Sequence, residues 1–203
     1  MRRFATRTVF AAASAGLAAV LLIAGTLVLW GSTYVHNTVQ SQLASQQIFF
    51  PPATAFANAK AGTGITPSMI PSVSQYAGQQ LLTGQQAEAY ADHFIAVHIQ
   101  EMGNGKTYSQ LSAESLANPG NTTLASTVNT VFKGETLRSM LLNAYGWWKV
   151  SQITYIVSLV LFGLGTVAAL GSALLFTSGR RPKGAGQAAQ PSGHEEITPT
   201  TTA

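Results

Sequence analysis

The sequence predicts an all-α protein in which two transmembrane helices flank a small helical extracytoplasmic bundle. Two apolar runs, residues 9–30 and 153–176, contain no Asp, Glu, Lys, Arg or His. At 1.5 Å rise per residue, about 20 such residues span a hydrocarbon core. The segment between them, residues 31–152, repeats apolar residues at helical spacing and carries two Thr-to-Gln capping patterns. No period-two alternation or hairpin dipeptide in it argues for strands.

The expected organisation is a cytoplasmic N-terminus (1–8), a first span (9–30), an extracytoplasmic helical domain (31–152), a second span (153–176) and a disordered cytoplasmic tail (177–203). The net charge of +4 and the pI near 9.6 come from the chain ends rather than from one folded face. Arg2, Arg3 and Arg7 precede the first span, and Arg180, Arg181 and Lys183 follow the second. Between them, five basic residues (Lys60, Lys106, Lys133, Arg138, Lys149) balance five acidic ones (Glu88, Asp92, Glu101, Glu114, Glu135). This pattern argues against a nucleic-acid partner and for retention of both termini on the cytoplasmic side. Trp30 and Tyr34 close the first run, and Tyr145, Trp147, Trp148 and Tyr155 surround the start of the second, as expected of an aromatic belt at one membrane surface.

A cleavable signal peptide competes for the first run. It is disfavoured because signal h-regions are shorter and end in small residues, whereas this run leaves through Leu29, Trp30 and Gly31. The Arg2-Arg3 pair evokes a twin-arginine signal, but the run behind it is too long and too hydrophobic. Without cysteine, the external domain depends on packing or partners instead of disulfides. An alanine-rich chain of this kind points to a bacterial envelope.

Val35, Val39 and Leu43 continue the helical period beyond the first run, so the first helix is expected to project to about residue 47. Pro51 and Pro52 stop it. Residues 53–78, rich in Ala, Gly, Pro and Ser, read as an irregular crossover. Thr83 with Gln86 opens a helix over 84–102, which Gly103, Asn104 and Gly105 end. Thr107 with Gln110 opens a short helix to about residue 117, and Asn118, Pro119 and Gly120 break it. A last helix starts near Thr122, is expected to be interrupted at Gly134, and runs on toward the second span. Small residues at four-residue spacing, Ala12 with Gly16, Ala15 with Ala19, Gly165 with Ala169 and Ala168 with Ser172, are candidate helix-packing ridges.

Only one constellation suggests chemistry. On a wheel of 100° per residue, Ala87, Tyr90, Ala91, Phe94 and Val97 share a face with His98 and Glu101. A His three residues from a carboxylate can act as a general base or metal pair. The plainer reading is a polar cluster of His98, Glu101 and Arg138, or Lys133 in its place, satisfied in a small core. His93 and His98 diverge by roughly 140° and make no two-histidine site. No catalytic, cofactor or metal motif stands out, and none is assigned. Phe49, Phe50, Pro51 and Pro52 form a candidate docking surface, with core packing as the alternative. The Asn121-Thr122-Thr123 sequon matters only in a eukaryotic secretory pathway, and Thr198 to Thr202 in the tail are possible phosphate acceptors.

The stretch Tyr90-Ala91-Asp92-His93-Phe94-Ile95-Ala96-Val97-His98-Ile99, with Gly105-Lys106-Thr107-Tyr108-Ser109 and Phe132-Lys133-Gly134-Glu135-Thr136-Leu137-Arg138, resembles small two-span membrane proteins of actinobacteria with no assigned function. The resemblance covers most of residues 40–150 and implies a place in the envelope, without a catalytic residue. The expected role is therefore non-enzymatic: a binding, accessory or scaffold protein whose partners are the bilayer and a second copy or another envelope membrane protein. A ligand sensor lacking its own signalling domain is the alternative, and an enzyme working through His98 and Glu101 a third reading.

Overall fold

The computed structural model describes residues 2–178, with side chains described for 6–177. Of the expected disordered tail, Thr177 and Ser178 still belong to the last helix, and the rest, including the Thr-rich end, lies outside the described residues. Two long helices dominate: α1 (Arg2–Ser45), of 44 residues, and α7 (Thr122–Ser178), of 57 residues. Between them lie α2 (Ala53–Ala57), α3 (Ile70–Val73), α4 (Gly84–Tyr90), α5 (Ala96–Met102) and α6 (Tyr108–Ala117). The described residues contain no strand, and one isolated bridge joins Phe49 to Gln80.

At 1.5 Å per residue, α1 and α7 measure roughly 66 and 85 Å, more than twice a hydrocarbon core of about 30 Å. Both are long and apolar enough to cross a membrane, with mean hydropathy 2.2 over their most apolar windows. Only 11% of each window is buried inside the structure, so neither is the core helix of a globular fold. Val9, Val20, Leu27, Leu164, Val167 and Leu174 all point outward.

The two helices pack antiparallel along a seven-residue seam. On α1 the buried positions are Ala11, Ala18, Gly25, Ser32 and Val39; on α7 they are Ser151, Ser158, Gly165 and Ser172. A strict seven-residue period keeps one stripe facing the partner under left-handed supercoiling. Its small side chains allow close approach: a Cβ on Gly165 would fall 3.0 Å from Leu22. Hydroxyls bridge the helices at three levels. Ser172 donates to the Ala11 carbonyl at 2.9 Å, Ser14 to Ala168 at 2.9 Å, and Ser32 to Ser151 at 2.7 Å. The four-residue ridges foreseen for the first span are not this seam. Ala12, Ala15, Gly16 and Ala19 are exposed, and nothing lies within 4 Å of a Cβ built on Gly16. The heptad crossing selects the rows around Ala11 and Ala18 instead.

Beyond the apolar runs the helices serve as two walls of the helical domain. Its core joins Val39 and Leu43 of α1 to Phe50, Met69, Val73 and Leu81 of the crossover, to Ala87, Ala91, Ile95 and Ile99, and to Val131, Leu141 and Trp148 of α7. The crossover is more ordered than its composition predicts. It contains α2, α3 and two 3-10 turns, Pro67–Met69 and Ser74–Tyr76. Phe50 N–H donates to the Gln79 carbonyl and Leu81 N–H to that of Ile48, both at 2.9 Å, so the two ends of the crossover clip together.

Both capping boxes form. Thr83 Oγ1 accepts from the Gln86 amide at 3.2 Å while Gln86 Oε1 accepts from the amides of Thr83 and Leu82. Thr107 and Gln110 repeat the pattern. The helix over 84–102 also forms, but a π turn, Ala91–Ile95, joins α4 to α5. Asn104 and Gly105 adopt φ of 50° and 76° where it ends. The expected break at Gly134 is absent, and α7 runs through it unbroken. The glycine is there for proximity: a Cβ would meet Ile99 Cγ1 at 2.8 Å, where α5 crosses α7.

Of the aromatic belt, Trp30, Tyr34, Trp147 and Tyr155 are exposed, and Trp30 stacks on Tyr34. Trp148 is not part of it. It is buried between His36, whose ring centre lies 4.0 Å away, and Gly84, which could not carry a Cβ without striking the indole. Its Nε1 is buried without an acceptor among the described residues.

Candidate functional site

The π turn decides which side chains reach the site. Ala87, Ala91, Ile95 and Ile99 form the buried stripe, each four residues from the next. In a regular α-helix such spacing drifts about 40° per step. The wider π turn absorbs that drift and keeps the stripe on α7. Of the face expected from a uniform 100° wheel, Ala87 and Ala91 lie in the stripe, whereas Tyr90, Phe94 and Val97 flank it, half-buried.

Along that flank runs a ladder of rings. Phe50 meets Tyr76 at 5.1 Å and Tyr90 edge-on at 5.3 Å; Tyr90 meets Phe94, and Phe94 meets His98, each at 4.6 Å. Burial pushes the Tyr90 phenol above its ordinary value of 10.0. Beside the ladder a groove of about 370 Å³ opens between the 84–102 helix and α7. Its floor is Ile95, Ile99 and Gly134, and Phe94, His98, Met102, Lys133 and Leu137 stand around it.

The expected polar cluster of His98, Glu101 and Arg138 does not assemble. His98 Nδ1 lies 2.7 Å from the Phe94 carbonyl. A carbonyl only accepts, so Nδ1 is the donor in this contact. Glu101 is exposed. Arg138 turns to Asp92, donating from Nη2 at 2.8 Å and from Nε at 3.1 Å to Oδ1, with Glu135 at 3.5 Å from Nη1. The hydrogen bond to Asp92 holds the guanidinium pKa above its usual range. Asp92, absent from the cluster read on the wheel, is the partner that Arg138 takes instead. It sits within the π turn, which no residue pattern announces. Lys133 has no ion-pair partner among the described residues and lines the groove.

The proposed docking surface is divided. Phe50 is 3% exposed and belongs to the core, whereas Phe49 is 58% exposed. Pro51 is half-buried and Pro52 exposed. Phe50 faces inward because the clip to Gln79 and the rings of Tyr76 and Tyr90 hold it there.

Among the described residues no three His, Asp or Glu side chains gather as metal ligands. The groove offers apolar walls, an imidazole and an ammonium donor. Those suit reversible binding of an amphipathic surface. No protein-family model, curated protein or solved structure matches the chain.

Proposed function

We propose that this is a two-span plasma-membrane protein of a bacterial envelope, with both termini cytoplasmic, whose external helical domain acts by binding. The role is non-enzymatic: an accessory or scaffold subunit that engages another envelope membrane protein or a second copy. The observation that carries this reading is the groove of about 370 Å³ between α5 and α7. It combines exposed apolar surface at Met102 and Leu137 with Lys133 as a polar anchor, the pattern of an apolar site with a few placed polar groups. The flanking arginines support the orientation, and the composition and the actinobacterial resemblance support the setting.

A photo-crosslinking residue at Leu137, exposed at the mouth of the groove, tests the reading in native membranes. One discrete adduct is expected, lost when Met102→Asp puts a charge in the groove. A diffuse ladder of adducts unaffected by that substitution contradicts it.

The sensor reading draws on one observation: α7 runs unbroken from the groove wall to Ser178, so movement at Gly134 has a continuous path into the apolar run. The enzyme reading requires that His98→Ala leave the domain folded and abolish a turnover.

A further inference from the structure

A second recess, of about 470 Å³, lies where the two long helices leave their apolar runs. It is built from Ser32, Thr33 and His36 of α1 and from Ser151, Gln152 and Tyr155 of α7, with Ile156 extending its wall along the second apolar run. Exposed Trp30 and Tyr34 lie within two residues of Ser32 on one helix, exposed Trp147 and Tyr155 within four of Ser151 on the other, and Tyr155 lines the recess itself. Such rings settle at head-group depth. We propose that this recess binds the phosphodiester head group of a bilayer phospholipid, an inference that rests on the membrane-spanning reading above.

Three features point to that occupant. The recess opens at the edge of both apolar runs, so lipid is the molecule that meets it in a bilayer, with Ile156 and the outward residues of α7 alongside the acyl chains. The His36 ring nitrogens, the Gln152 amide and the Tyr155 hydroxyl have no hydrogen-bond partner among the described residues, whereas Ser32, Ser151 and Thr33 already donate to backbone carbonyls. That leaves unpaired donors on both helices where phosphate oxygens lie. Residues 1–87 and 136–178 contain no Asp or Glu, so an anionic oxygen meets no carboxylate there. Lys149, 5.4 Å from the Tyr145 ring, adds a cation one turn before Gln152.

The recess is also joined to the domain. His36, which lines it, stacks on Trp148, and Trp148 packs on Gly84 at the start of α4. An occupied head-group site would therefore steady the helix that carries the groove.

The test uses the full chain in detergent, offered equal dioleoylphosphatidylethanolamine and dioleoylglycerol, with retained lipid read by native mass spectrometry. The phospholipid is expected to be held about tenfold better, and Gln152→Met with Tyr155→Phe to remove that preference, since each lost hydrogen bond changes affinity by up to about tenfold. Both substitutions keep side-chain volume, and circular dichroism checks that helicity is unchanged. Equal retention of the two lipids, or an unaltered preference in the variant, overturns the inference. Displacement of the phospholipid by excess glycerophosphate overturns its lipid source. An alkaline carbonate wash separates the two readings. A chain washed off membranes sinks the membrane reading and this site together, whereas an integral chain without selectivity sinks this site alone.

Discussion

Gly134 and Gly146 both lie in α7, yet they meet different surroundings. A Cβ at Gly134 would press on Ile99, while one at Gly146 meets nothing within 4 Å. Gly134→Leu should therefore destabilise the domain by about 1–3 kcal/mol through overpacking. Gly146→Ala should raise stability by roughly 0.5–1 kcal/mol by removing backbone freedom. Thermal unfolding of the two variants measures the difference, and equal shifts would contradict the close crossing. Asp92→Asn should lower the melting temperature more than Glu101→Gln, because Asp92 holds Arg138 and Glu101 is exposed. The effect is small, under about 1 kcal/mol, for a pair one-third exposed to solvent. Tyr90 supplies a pH dependence. Its folded pKa is raised above 10.0, so burial of the neutral phenol contributes stability that is complete below pH 10 and is lost as pH rises through the folded value. Alkaline unfolding should begin earlier in the native chain than in Tyr90→Phe, and identical alkaline profiles would refute this.

The helices show which elements a residue pattern can announce. Thr83 with Gln86, Thr107 with Gln110, and the Asn104-Gly105 terminator all act as their chemistry requires, because each is a local exchange of backbone hydrogen bonds. Thr83→Ala should cost about 1 kcal/mol, read by chemical denaturation. The expectations that failed depend on contacts distant in sequence. Gly134 resembles a breaker until Ile99 is brought against it. The π turn answers to the fit of Ile95 and Ile99 on α7, and it carries Asp92, the partner of Arg138. Trp148 looks like one more interfacial aromatic until Gly84 leaves room for it. The heptad seam was hidden for a different reason: lipid-facing and partner-facing sides of a span are both apolar, so no contrast in hydropathy marks it. Its small residues carry the signal, seven apart rather than four. Gly165→Leu should separate the two long helices there, measured as loss of a disulfide between engineered cysteines at Gly25 and Leu161, whose Cβ atoms would lie 3.4 Å apart.

At the scale of the whole molecule, α1 and α7 do two jobs with one fold. Their apolar lengths turn outward and meet along a narrow seam, and their extensions wall a domain whose groove and neck recess both lie against α7. The proposed binding role requires that domain to lie outside the cytoplasm. Because the sequence has no cysteine, a single engineered thiol reports its own location to a membrane-impermeant maleimide. Leu116, 82% exposed, is the most direct position. Leu116→Cys is predicted to label in intact cells, while Ser192→Cys labels only after permeabilisation. Labelling of Ser192→Cys but not Leu116→Cys in intact cells would contradict the account.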